Sequence, residues 1–194
     1  MEKRIDCEPR LDDEAALALA AGDAVSVSGE LLTIRDATAK RLFDLGTAGQ
    51  DLPVDLRGRV LYAVGPSPAK PGQVVGSAGP TTTERFVKYL PFLFRAGVKG
   101  IIGKGELHGS IVKVFQDEGA IYLAAIGGLG ALLGKRVEAA DILAFPELGP
   151  EALYRFRVRD FPAVVIIDRA GANFHEMARA TWRRGAPKSL PPER

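Results

Sequence analysis

Three short, mostly apolar runs decide what this chain can fold into: Val60-Leu-Tyr-Ala-Val64, Val98-Lys-Gly-Ile-Ile102 and Ala120-Ile-Tyr-Leu-Ala-Ala-Ile126. Such runs are too short for core helices and read as strands buried on both faces. Stretches of helical character separate them. That alternation belongs to the α/β class, here with a mixed central sheet flanked by helices.

The flanking sequence adds strands to the same sheet. Ala24 to Ile34 alternates and is rich in strand formers, so it reads as a strand. Ile5 and Cys7 alternate with charged neighbours, which suggests an edge strand. Further strands are expected at Ile142–Phe145, Tyr154–Val158 and Ala163–Ile167. Arg155, Arg157 and Arg159 alternate with apolar residues and so line one solvated face. Helices are expected from Asp12 up to Gly22-Asp23, over Ala37–Leu45 with Asp36 as cap, and over Ser110–Asp117 and Leu129–Leu133. Another should run from about Thr82 to Ala96, with a kink or early end at Pro91. Gly65-Pro-Ser-Pro-Ala-Lys-Pro-Gly72 is a proline-rich loop inside the domain, and Arg169-Ala-Gly-Ala172 is a turn. Residues 1–182 are expected to form one domain, and 183–194, with Pro187, Pro191 and Pro192, a flexible tail.

The balance of charge narrows the function. Lys and Arg number 26 against 24 Asp and Glu, which argues against a nucleic-acid surface or a polybasic membrane patch. Any anion site must come from a few converging cations. With a single cysteine, Cys7, the chain can form no internal disulfide and cannot hold an iron–sulfur cluster by itself. Its first residues lack the apolar core of a signal peptide, and no apolar run reaches the roughly 20 residues of a membrane helix. The expected location is cytoplasmic.

Gly76-Ser-Ala-Gly-Pro-Thr-Thr-Thr-Glu-Arg85 is the densest stretch of site-like chemistry. Its glycines and Pro80 set a turn, Thr81, Thr82 and Thr83 offer hydroxyls that can cap a helix, and Arg85 follows one turn later. Such a terminus suits an anion, and an ordinary capped turn explains it equally well. Arg35 sits where a strand gives way to a helix, and Lys104 sits between Gly103 and Gly105 at the end of another strand. Gly127-Gly128 occupies the same kind of junction and is explained by tight packing or by approach to an anion. His108 and His175 have no partners at metal-ligand spacing and read as surface or structural residues.

Taken in order, Thr33-Ile-Arg-Asp-Ala-Thr-Ala-Lys-Arg-Leu42, Gly65-Pro66, Gly79-Pro-Thr-Thr-Thr-Glu-Arg85, Gly103-Lys-Gly105, Gly127-Gly128 and Phe161-Pro-Ala-Val-Val-Ile-Ile-Asp168 carry a resemblance. The chain resembles the β subunit of the iron–sulfur-dependent class I fumarate hydratases and L-tartrate dehydratases, and the C-terminal part of their single-chain members. The resemblance runs from about residue 20 to residue 175. It implies a swivelling β/β/α domain and a 4Fe–4S cluster held by cysteines of a partner α subunit, so Cys7 is not a ligand and this chain supplies no metal ligands. It also implies an active site between the two subunits, and a homodimer or a heterotetramer of two α and two β subunits.

By the same resemblance Thr81 is the catalytic base and Lys104 is both catalytic and substrate-binding. Arg35, Arg85 and Thr82 bind substrate, and Gly79, Gly127 and Gly128 are loop contacts. Two positions depart from the family pattern: Ala39 stands where a histidine is usual, and Phe86 where a methionine is common. Both leave the substrate open. The chemistry agrees with the assignment. A small dicarboxylate needs at least two fixed cations, Arg35 and Arg85 can each grip a carboxylate in a fork, and Lys104 adds a point charge. Charge building on a carboxylate during proton removal is stabilised by those cations. The leaving hydroxyl needs a Lewis acid, which iron on the partner would supply. Thr81 needs activation by a neighbouring group, expected on the α subunit. Fumarate hydration leads the substrate expectations, with tartrate or a related 2-hydroxy dicarboxylate next. A non-enzymatic anion-binding module and an inactive structural partner are the competing readings.

Overall fold

The computed structural model describes residues 2–8 and 10–183. The expected tail therefore lies, from residue 184 onward, outside the described residues. In chain order the elements are β1 (Lys3–Cys7), α1 (Asp13–Leu17), β2 (Ala24–Ile34), α2 (Asp36–Thr47) and β3 (Val60–Ala63). A 3-10 segment, Thr83–Tyr89, precedes α3 (Leu90–Arg95) and β4 (Gly100–Gly103). Then come α4 (Ser110–Asp117), β5 (Ile121–Ala124), α5 (Gly130–Gly134) and β6 (Val137–Ala144). A second 3-10 segment, Pro146–Glu151, leads to β7 (Leu153–Ile167) and α6 (Phe174–Trp182).

The chain is mixed α/β, with a seven-stranded mixed sheet in the order β1-β2-β3-β4-β5-β7-β6. β2, β3, β4 and β5 run parallel. β7 is antiparallel to β5 and also pairs with β2, so the sheet curls round and closes a five-stranded ring. β1 and β6 extend it outside the ring, which makes β1 the edge strand that its alternation predicted.

The pleat sorts the core into two. Val60, Tyr62, Ile102, Ile121, Leu123, Val27, Phe156 and Phe161 form one buried cluster, to which every strand of the ring contributes. Their neighbours Leu61, Ala63, Ile101 and Tyr122 point to the other face and pack under Leu42, Phe86, Leu93 and Phe115 of the helical layer. A strand that is buried on both faces needs no polar alternation, which is why the three short runs are apolar throughout.

Two expectations change here. The Tyr154–Val158 and Ala163–Ile167 strands are one 15-residue strand, β7. It continues through the polar interval because Asp160, at φ 46°, takes up the irregularity. The helix expected from about Thr82 to Ala96 is instead the 3-10 segment followed by α3, with non-helical backbone at Phe86 (φ −120°). The break precedes Pro91, which sits in the first turn of α3, where a missing N–H costs nothing. α6 was not foreseen from the sequence. The three arginines of β7 do line an exposed face, and each pairs with a carboxylate there.

Candidate functional site

Because β2, β3, β4 and β5 are parallel, whatever follows each strand emerges at the same end of the ring. Arg35 follows β2, Gly65 follows β3 closely, Lys104 follows β4, and Gly127-Gly128 follows β5. The carboxyl ends of parallel strands are where α/β sheets bind ligands. Residues far apart in sequence are thus collected by topology.

The threonine segment is laced across this end. Thr81 N–H donates to the Ala63 carbonyl at 2.7 Å, and Lys104 N–H donates to the Thr81 carbonyl at 3.2 Å. Thr83 N–H donates to the Lys104 carbonyl at 3.1 Å. These bonds tie the segment to the ends of β3 and β4. Thr82 stands at the cap position without a side-chain bond, and the hydroxyls of Thr81 and Thr82 make no hydrogen bond among the described residues. Thr83 is fully buried, and its hydroxyl lies 3.2 Å from the hydroxyl of Tyr122. Burial pushes the Tyr122 phenol up to about 12, so it stays protonated and donates to the Gly105 carbonyl at 3.0 Å. Thr83 is therefore a packing residue beneath the site.

Gly103 is required by that packing. A side chain at this position would overlap the Thr83 hydroxyl and lie 3.4 Å from Ala63 Cβ. Gly103→Ala is expected to destabilise the protein by about 1–3 kcal/mol, lowering the melting temperature by about 2–4 °C for each of those kcal/mol. Adding Thr83→Ala should recover part of the loss, because the methyl then has room. Equal melts for Gly103→Ala and the unaltered protein would refute the clash.

The cations divide into paired and unpaired. Arg35 is about one-quarter exposed and its Nη2 lies 3.3 Å from Glu151 Oε1. Arg85, exposed on the 3-10 segment, pairs through Nε with Asp36 Oδ2 at 3.1 Å. Lys104 is half-buried and has no ion pair or hydrogen bond from its ammonium among the described residues. Arg35 Nε and Asp36 Oδ1 are buried with no hydrogen-bond partner among the described residues. Buried polar atoms are nearly always satisfied, which makes these two atoms at one strand–helix junction candidates for contact with a ligand. Asp36 does not cap α2 as expected. It is the first helical residue, and the carboxylate that caps the helix is Glu151, whose Oε2 accepts the Ala37 N–H at 3.0 Å.

A shallow cleft of about 470 Å³ opens here, lined by Gly65, Pro66, Ser67, Ser77, Gly79, Pro80, Lys104, Gly128, Gly130 and Pro150. Of the expected site residues, Gly79, Lys104 and Gly128 line it. Arg35 flanks it, lying so close to Gly65 that a Cβ there would be 2.8 Å from its Cδ and Nη1. Gly127 lies beside the Lys104 stem, and Thr81, Thr82 and Arg85 are not among the lining residues. Ala39 and Phe86 are fully buried in the helix-covered core, so these two positions shape the floor beneath the site and not its lining. Cys7 is also buried, on β1, and burial pushes its thiol up to about 12. Among the described residues no three His, Cys, Asp or Glu side chains group as metal ligands. His108 lies exposed beside Glu106, and His175 sits in the first turn of α6. Glu151 was not foreseen from the sequence. No local pattern marks it, and it reaches Arg35 only because β7 returns beside β2.

Fold and site together define an α/β ring protein with a cationic cleft at the carboxyl ends of its parallel strands. The chain belongs to the family described as the fumarase C-terminus, which matches residues 1–178. It is 32% identical over 154 residues to the anaerobic class I fumarate hydratase of Escherichia coli, covering 78% of this chain and 28% of that protein. It is 35% identical over 171 residues to a Geobacillus stearothermophilus protein provisionally named class I fumarate hydratase, covering 86% of this chain and 32% of that one. A Methanocaldococcus jannaschii protein provisionally named L(+)-tartrate dehydratase subunit beta is 35% identical over 164 residues, covering 81% of this chain and 84% of that one. The chain thus spans about a third of the length of the fumarate hydratases it matches, and most of the length of the β subunit.

Proposed function

We propose that this chain is the β subunit of a hydro-lyase acting on a small 2-hydroxy dicarboxylate, with fumarate and L-malate as the leading pair. The observation that carries the reading is Lys104, a half-buried cation without a partner among the described residues, lining a cleft at the carboxyl ends of the parallel strands that Arg35 flanks through its contact with Gly65. Glu151 pairs with Arg35 and Asp36 with Arg85, while Lys104 has no carboxylate partner among the described residues and its charge is left for an anion. Arg35 and Lys104 would hold one substrate carboxylate at the cleft. Arg85 would hold the other after leaving Asp36, an exposed pair worth no more than about 1 kcal/mol. Thr81, with its hydroxyl unengaged, would move the proton on the carbon next to the leaving hydroxyl, and the cations would stabilise the charge that builds on the neighbouring carboxylate. Thr82, Gly79, Gly127 and Gly128 would complete the contacts.

The 4Fe–4S cluster implied by the family does not fit the residues of this chain, since Cys7 is the one cysteine and is buried with a raised thiol. The proposal assigns the cluster to a separate α subunit and ascribes to this chain only binding and proton transfer. Exposed Ile126, Leu129 and Leu132, on either side of Gly127-Gly128, support a partner surface at the rim of the cleft. The swivelling of the domain, its extent over residues 1–182, a homodimeric or heterotetrameric assembly and a cytoplasmic site of action belong to the same proposal. No described helix is long and apolar enough to cross a membrane. The relative named as a tartrate dehydratase β subunit, matched over 84% of its length, makes tartrate the second substrate to assay.

Anaerobic co-expression with the α partner, followed by assay of malate, tartrate and methyl-substituted malates, tests the reading. The complex should dehydrate one of them and the chain alone none. Turnover by the purified chain alone would overturn the two-subunit reading. Anion binding without turnover in the complex would favour an anion-binding module.

A further inference from the structure

Arg35 and Glu151 form a preset unit. Glu151 is held at both oxygens, Oε1 by Arg35 Nη2 at 3.3 Å and Oε2 by the Ala37 N–H at 3.0 Å. Its main chain is tied to the same junction. The Glu151 carbonyl accepts the Thr38 hydroxyl. The next carbonyl, Ala152, accepts the Thr33 hydroxyl at 3.2 Å, and Thr33 Oγ1 in turn accepts the Tyr154 N–H at 2.9 Å. Both side chains are about three-quarters buried, at 23% and 27% exposure. A carboxylate fixed at both oxygens beside a helix N-terminus is not a mobile counterion. It pairs with Nη2 of the guanidinium, while Nη1 lies against the bare backbone of Gly65 at the edge of the cleft. Arg85 makes the contrast, since its one ion pair is to the more exposed Asp36.

We infer that Glu151 is a positioning residue: it holds the Arg35 fork in the orientation that takes a substrate carboxylate. This rests on the hydro-lyase reading above. An arginine fork recognises a carboxylate through two parallel N–H donors, so a guanidinium free to rotate loses most of that geometry.

Glu151→Gln separates positioning from capping. The amide oxygen still accepts the Ala37 N–H, so the cap survives, but the amide nitrogen then faces Arg35 donor to donor. In the complex with the α subunit, KM for the dicarboxylate should rise about tenfold, the scale of one charge-assisted hydrogen bond, with kcat changing less. A second measurement does not depend on turnover. With this chain isotope-labelled in the complex, Arg35 Nε–H, which is buried, should give a sharp, slowly exchanging NMR signal that broadens in Glu151→Gln. An unchanged KM together with an unchanged Arg35 signal overturns the inference while leaving an active enzyme intact. A KM that falls also overturns it, because Glu151 would then be competing with substrate. If the unaltered complex shows no hydro-lyase activity, the functional reading falls, and the NMR signal alone decides whether Glu151 orients Arg35.

Discussion

Replacing Thr81 with valine is expected to lower kcat by about 10²–10⁴-fold, the usual contribution of a positioned proton-transfer group. Valine keeps the branched shape and removes only the hydroxyl. The structure sharpens this test. Had Thr81 capped a helix, its loss would cost about 1 kcal/mol of stability. Its N–H and carbonyl instead bond to Ala63 and Lys104 through the main chain, and its hydroxyl bonds to nothing among the described residues. Thr81→Val should therefore melt with the unaltered protein. KM should change less than kcat, because Arg35, Arg85 and Lys104 remain. Steady-state kinetics with the α subunit and a thermal melt of the same variant decide the matter. Full kcat in the variant would remove Thr81 from the chemistry.

What could be read from the sequence followed the range of the interactions involved. Ala24–Ile34 and Ser110–Asp117 match β2 and α4 at both ends, since alternation and amphipathic spacing are local signals. The three apolar runs became ring strands within a few residues. The second pairing of β2, with β7, was hidden, because closure depends on strands more than 120 residues apart and on a bulge at Asp160. The same long return brings Glu151 to Arg35, and no spacing rule could have paired them. The 3-10 geometry of Thr83–Tyr89 was hidden for a related reason. Local signals called for a capped α-helix, but Thr81 and Thr83 are tied to the strand ends by long-range main-chain bonds, and Thr82 at the cap position makes no side-chain bond. The positions of Arg35 and Lys104 were legible because each ends a strand, and parallel strands place their ends together.

That placement has a consequence for charge. Arg35 and Arg85 each already carry a carboxylate from this chain, whereas Lys104 carries none among the described residues. The three cations are not equivalent, and the unpaired one should cost the least stability and much activity when removed. Lys104→Met keeps a stem of similar length beside Gly127, whose Cβ position lies 3.6 Å from Lys104 Cδ, and deletes only the charged head. No described group loses a partner, so the melting temperature should stay within error. Deleting one preorganised donor to developing negative charge typically costs about 10²–10³-fold in kcat, and kcat/KM of the complex is expected to fall at least that far. The pattern is diagnostic because a structural cation gives the opposite one. If Lys104→Met melts several degrees lower while turnover persists, the ammonium serves the fold, and the cleft loses the one cation that its geometry leaves free for a ligand.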